Sequence, residues 1–124
     1  MMHVIRVIGS KTWPPDEREL RALCERHVAR SNDPAGGARQ LLAVAASGDR
    51  TAAVRQIKAP TLVIHGDEDP LIPPACGQDT AQAIRAGGGA AALSVVAGMG
   101  HDFPVPLLPR IADEIVTHCR RAEG

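Results

Sequence analysis

Aromatic side chains are nearly missing from this chain of 124 residues: Trp13 and Phe103 are the only two, and there is no tyrosine. This scarcity argues against a surface that stacks nucleic-acid bases or sugar rings. The formal net charge is zero, so the composition gives no sign of a nucleic-acid partner. Any core must be built from alanine, valine, leucine and isoleucine, with few large anchoring side chains.

Disulfide and metal-binding cysteine patterns are missing too. Cys24, Cys76 and Cys119 are odd in number and far apart, which favours free thiols in a reducing cytoplasm. We expect Cys76 and Cys119 to be ordinary buried thiols, since nothing around Cys76 would activate it as a nucleophile. No apolar run is long enough for a signal peptide or a membrane span. The sequence therefore predicts a soluble, cytoplasmic chain of one small domain with no membrane contact.

The first half of the chain is predicted to be helical. Residues 3–8 fit either a short strand or a ragged helical turn. Asp16 to Arg30 carries apolar residues at helical spacing after two prolines, which predicts an amphipathic helix. A breaker-rich loop follows over residues 31–37, and then a helix over residues 38–47. Asp49 can cap a third, short helix before Ala59 and Pro60 close this half.

In the second half of the chain, the spacing of apolar residues is no longer that of helices alone. Residues 61–64 are β-branched or aliphatic without polar alternation, which predicts a strand buried on both faces. A helix over residues 77–85, a buried strand over residues 93–97 and a helix over residues 107–121 follow. This alternation predicts an α/β fold with two parallel strands joined by a right-handed crossover. The expected packing face of the last helix consists of Ile111, Ile115, Val116 and Cys119.

Two parallel strands alone make an incomplete sheet. Parallel sheets are usually covered on both faces and contain several strands. We therefore expect a third strand from the amino-terminal segment, from a second copy of the chain or from another polypeptide.

Two loops after these strands carry a family resemblance. Residues 59–73, with His65-Gly66-Asp67-Glu68-Asp69-Pro70 at their centre, resemble the segment around the acid of the α/β-hydrolase superfamily. Residues 98–104, Gly-Met-Gly-His-Asp-Phe-Pro, resemble its histidine loop. Residues 39–50 are similar to the end of the helical cap in small esterase-like members of the aclacinomycin methylesterase-like branch. The resemblance extends over residues 15–115.

The resemblance implies a C-terminal βαβα part of an α/β-hydrolase sheet preceded by helices of a cap region. Residues 1–58 would be a helical cap remnant and linker, and residues 59–124 the C-terminal βαβα segment of the core. His101 matches the general base and Asp69 the acid that orients it, in the chain order of the superfamily. The implied substrate is a small ester with an apolar acyl or alkyl part, and no cofactor or metal is implied. Independently of the resemblance, both loops leave neighbouring parallel strands at the same end, so their side chains are expected to meet.

The nucleophile that this chemistry requires is not encoded here. The superfamily places its serine in a Gly-x-Ser-x-Gly turn, and no serine of this chain is flanked by the required glycines; Ser10, which directly follows Gly9, is nearest. We therefore expect the C-terminal piece of a truncated, split or frame-broken hydrolase, inactive unless an N-terminal half supplies the serine. The alternative is a non-catalytic module that forms a homodimer through its open sheet edges and keeps relic triad residues. A third possibility is that the chain alone is largely unfolded.

Other interpretations of the acidic and histidine residues stay open. Asp69 precedes a proline and can simply cap a turn. Asp67 is a second candidate for the acid, His65 is more simply a structural histidine, and Asp102 is expected to cap a turn or to face solvent. His65, Asp67, Asp69 and His101 can be drawn as a metal cluster, but the turn lacks the spaced acids of a calcium loop.

Overall fold

The computed structural model describes residues 1–31 and 33–123. The protein is mixed α/β, and helices precede a small parallel sheet. In chain order its elements are α1 (Met2–Ile8), α2 (Glu17–Arg30), α3 (Gly36–Ser47), α4 (Thr51–Val54), β1 (Thr61–Gly66), α5 (Pro74–Ala86), β2 (Ala91–Val96), a 3-10 turn (Val105–Leu107) and α6 (Leu108–Glu123).

The amino-terminal segment is helical and adds no strand. Residues 3–8 fitted both a strand and a helix, and the structure makes them the helix α1. Within the described residues the sheet consists of β1 and β2 alone, so the expected third strand does not come from this segment.

Local sequence signals explain several of the points where the helices of the first half begin and end. The Asp16 carboxylate accepts hydrogen bonds from the backbone N–H groups of Arg18 and Glu19, which caps α2. Helix α3 begins at Gly36, slightly earlier than predicted, and Gly48 follows it with a φ of 55°. Asp49 accepts hydrogen bonds from the backbone N–H and the hydroxyl of Thr51 at the start of α4.

The parallel pairing of the two strands is confirmed. Thr61 lies opposite Ala91, and the register continues to Gly66 opposite Val96, with α5 as the crossover. The prediction that β1 is buried on both faces is wrong, because residues 61–65 are only half-buried and Gly66 alone is buried. Both strands therefore keep partly open faces.

A small core lies between the sheet and α6. Val96, Met99, Leu107 and Ile111 are buried together, and the half-buried Ile64 packs against them. On α5, Ala81 and Ile84 are fully buried. No helix in the described residues has the length and apolarity needed to cross a membrane.

The predicted packing face of α6 is only partly correct. Ile111 is buried, but Ile115 and Val116 are 46% and 44% exposed, and Cys119 is exposed. The reason is that α6 turns Glu114 and His118 inward; the His118 ring lies 3.2 Å from the Pro60 carbonyl oxygen. Cys76 is exposed as well, so the expectation that Cys76 and Cys119 are buried thiols is wrong.

Candidate functional site

Two turns at the carboxyl ends of the parallel strands form the candidate site. Asp69 lies in the turn after β1 and His101 in the loop after β2. His101 Nδ1 lies 2.8 Å from Asp69 Oδ2, which is hydrogen-bond distance. The prediction that these two side chains meet at one rim of the sheet is confirmed. We refer to this pair as the dyad.

The two carboxylate oxygens of Asp69 have separate partners. Oδ1 accepts hydrogen bonds from the backbone N–H groups of Leu71 and Ile72, both at 2.9 Å. Oδ2 faces His101. The turn-capping interpretation and the histidine-orienting interpretation therefore both describe Asp69, because a different oxygen serves each. The Asp69 side chain is only 7% exposed, so its carboxylate is largely shielded from water.

The hydrogen bonds keep Asp69 ionised. Burial alone would raise the pKa of the Asp69 carboxyl, but the hydrogen bonds from Ile72, His101 and Leu71 and the charge of a protonated His101 outweigh it and lower the pKa. An ionised carboxylate can only accept, so Nδ1 of His101 must carry the proton that the pair shares. In the neutral ring the lone pair is then on Nε2, the tautomer that a general base needs.

His65 contacts the turn that carries Asp69. Its Nε2 lies 2.9 Å from the Ile72 carbonyl oxygen and 3.7 Å from Asp69 Oδ2. A carbonyl oxygen accepts, so His65 Nε2–H is the donor to it. The contact joins the end of β1 to the residue that caps Asp69, which agrees with the interpretation of His65 as a structural histidine.

Asp67 and Asp102 bind backbone and neighbouring residues rather than the dyad. Asp67 Oδ1 accepts a hydrogen bond from the N–H of Gly98 at 2.7 Å, so it ties the acidic turn to the histidine loop. Asp102 does more than the predicted capping or solvation: its Oδ1 accepts from the Ser10 N–H at 2.9 Å and from the Ser10 hydroxyl at 2.6 Å. Among the described residues there is no cluster of three or more histidine, cysteine, aspartate or glutamate side chains arranged to hold a metal ion.

The sequence interpretation missed the segment of residues 8–13, which we call the strap. It contacts both turns of the candidate site: Ile8 and Ser10 contact the histidine loop, and Lys11 and Thr12 contact Glu68 beside Asp69. The only sequence signal was a small residue pair, Gly9-Ser10, after an apolar run. Ser10 is buried, at 5% exposure.

The dyad opens onto a cavity of about 300 Å³ whose lining includes Ile72, Met99 and Phe103. The His101 side chain is 41% exposed, and within the described residues its Nε2 has no hydrogen-bond partner. A larger cavity of about 790 Å³ adjoins this one at Asp102 and Phe103. An imidazole held by a carboxylate beside an apolar cavity can accept a proton from a hydroxyl group that enters it.

The chain matches no protein-family model and no solved structure. Its function must therefore be inferred from the dyad, from the residues that hold it and from the sequence resemblance.

Proposed function

We propose that this chain supplies the acid and the general base of a serine carboxylic-ester hydrolase of the α/β-hydrolase type. Asp69 and His101 would act on a serine that lies outside these 124 residues. The single observation that carries the proposal is the 2.8 Å contact between His101 Nδ1 and the buried, ionised Asp69. The resemblance of the acidic turn and the histidine loop to that superfamily supports it.

In this proposal His101 moves the proton in both half-reactions. Its Nε2 takes the serine proton as the serine oxygen attacks the ester carbonyl, and it gives that proton to the leaving alcohol. Water then attacks the acyl-serine, again losing a proton to Nε2, and the acid is released as the serine recovers its proton. Asp69 holds the ring by Nδ1 and stabilises the imidazolium that forms.

The chain alone is expected to have little esterase activity. The nucleophile, the base and the oxyanion donors act as a unit, so a base and its carboxylate give little rate enhancement by themselves. Ser10 does not fill the gap, because its buried hydroxyl donates to Asp102. The apolar lining of the cavity beside His101 supports a small ester with an apolar acyl or alkyl part as the substrate.

The test is complementation. The chain is mixed with an amino-terminal segment of an esterase of the resembled branch that carries Gly-x-Ser-x-Gly, and p-nitrophenyl butyrate hydrolysis is measured. His101→Ala and Asp69→Asn should each lower the recovered kcat by about 10³-fold to 10⁴-fold. Asp67→Asn is the matched control, because an asparagine Oδ1 still accepts from Gly98 and should preserve the rate. A complex, demonstrated by sedimentation, that hydrolyses no ester would refute the proposal.

A second candidate function is self-association without catalysis. The specific observations in its favour are the partly open strands and the exposed apolar side chains of Val95, Ile115 and Val116. Two copies could pair their strand edges and complete one sheet. Sedimentation equilibrium that gives the mass of two chains, unchanged by Asp69→Asn or His101→Ala, would support this candidate; the mass of one chain at every concentration would exclude it.

A further inference from the structure

Ser10 is remote in sequence from the dyad but contacts the loop that carries His101. Its hydroxyl donates to Asp102 Oδ1 at 2.6 Å and accepts from the N–H of Gly100 at 2.8 Å. Its own N–H donates to the same Asp102 oxygen at 2.9 Å. These contacts bind the residues on both sides of His101.

The strap also holds the backbone of His101 itself. The N–H of His101 donates to the Ile8 carbonyl oxygen at 2.8 Å. Three consecutive residues of the histidine loop, Gly100 to Asp102, are thus hydrogen-bonded to the strap. The loop contains no regular secondary structure of its own at His101, so these contacts replace a helix or sheet ladder in fixing its backbone.

The other end of the strap binds the acidic turn. Glu68 accepts hydrogen bonds from the N–H groups of Lys11 and Thr12, both at 3.1 Å, and from the Thr12 hydroxyl at 2.7 Å. Glu68 directly precedes Asp69 in the chain. One short segment therefore fixes the backbone beside each member of the dyad.

We propose that Ser10 is a positioning residue that, with Thr12, holds the His101 loop and the Asp69 turn in register, so that the dyad hydrogen bond persists. Ser10 acts through Gly100 and Asp102 and touches neither the substrate nor the dyad. The catalytic meaning of this inference rests on the proposed function, whereas the mechanical claim concerns only the lone chain.

The test is the exchange of the His101 Nδ1 proton with water, measured by NMR on the full chain. This proton exchanges when the dyad opens locally, so its rate reports the open population. Ser10→Ala removes two hydrogen bonds and should increase the exchange rate about threefold to tenfold. The pKa of the Asp69 carboxyl should rise in the same variant, because the hydrogen bond from His101 helps to lower it. An unchanged exchange rate would overturn the proposal.

Two controls separate positioning from general destabilisation. Ser47→Ala removes a serine hydroxyl bond on the exposed helix α3 and should leave the exchange rate unchanged. Ile84→Val weakens the core at α5 but removes no hydrogen bond of the strap, so it should lower the urea midpoint without affecting this proton. Equal acceleration by Ile84→Val and by Ser10→Ala would overturn the proposal, since both would then act through global stability.

If Ser10→Ala does not fold, the proposal is tested with Thr12→Val in the same exchange measurement. It removes the hydroxyl bond to Glu68, and a faster Nδ1 exchange supports the proposal while an unchanged rate overturns it. Failure of the inference and failure of the proposed function are distinguishable. Faster exchange in Ser10→Ala, together with no hydrolysis by a complex that sedimentation demonstrates, would uphold the positioning role and refute the hydrolase. An unprotected Nδ1 proton in the unsubstituted chain would overturn both.

Discussion

Asp69 shows how one buried carboxylate can build a turn and orient a ring at the same time. Its Oδ1 is used by two backbone N–H groups and its Oδ2 by His101. The two backbone donors hold Oδ1 and so orient the carboxylate with Oδ2 towards the ring. Removing the charge while keeping the shape should therefore change the histidine contact more than the turn.

The Asp69 carboxyl should make the free energy of unfolding depend on pH in the acidic range. Hydrogen bonds hold its folded pKa below the ordinary value of 3.8, so its stabilising contribution is present above that value and is lost as the pH falls below it. Asp69→Asn should flatten the acid side of a plot of the free energy of unfolding against pH. Urea unfolding from pH 6 to pH 2.5 measures this slope. Asp79→Asn, at an exposed position on α5, is the matched control for replacing one carboxylate by an amide, and the two slopes are compared.

Gly100 is required where the strap meets the histidine loop. A Cβ on this residue would lie 2.4 Å from the carbonyl carbon of Gly9 and 2.5 Å from the Ser10 nitrogen, both backbone atoms. Gly100→Ala should therefore lower the free energy of unfolding by about 1–3 kcal/mol, because strap and loop must separate. In α3, a Cβ on Gly37 meets nothing within 4 Å, so Gly37→Ala should be neutral or stabilising in the same urea titration. Equal effects of the two substitutions would contradict the close approach.

At the scale of elements, local sequence chemistry accounts for the boundaries of α2. Asp16 precedes α2, whose first turn contains Glu17 and Glu19 and whose last turn contains His27 and Arg30. Acids at the start and bases at the end complement the helix dipole. Leu20 and Cys24, one turn apart, form its buried face.

The cap of α2 should have a measurable effect. Asp16→Ala removes the acceptor for the Arg18 and Glu19 N–H groups and should lower the free energy of unfolding by about 1 kcal/mol. Circular dichroism during urea unfolding measures it. Glu25→Ala, at an exposed position in the middle of the same helix, should change the value by less than about 0.5 kcal/mol.

Element types were largely predictable because their signals are local. The strand-helix-strand-helix order and the meeting of Asp69 with His101 follow from period and from the common end of parallel strands. Residues 3–8 were ambiguous because a short apolar run fits either period. The contact of Ser10 with Asp102 joins positions 92 residues apart, so no window of the sequence contains it. The exposure of Ile115 depends on how α6 is rotated against the sheet, which the helical period alone does not specify.

At the scale of the whole molecule, only a few apolar side chains among the described residues are buried. Ile84 is 1% exposed, whereas Ile115, the same type of residue, is 46% exposed. Ile84→Ala should cost about 2–5 kcal/mol of unfolding free energy, and Ile115→Ala less than about 1 kcal/mol. The comparison requires urea unfolding at a concentration where sedimentation finds single chains. Similar losses under these conditions would contradict the exposed position of Ile115 on α6.

The strap gives the molecule an unusual order of assembly. Residues 8–13 leave the ribosome long before the loop at residues 100–102 that they bind, and synthesis adds only about 5–20 residues each second. For several seconds residues 8–13 of the nascent chain therefore lack their partners in the histidine loop. Helix α2 can form during that time. The contacts that hold the His101 loop can therefore form only after residues 100–102 have been synthesised, and a chain that stops before them would leave the strap without these partners.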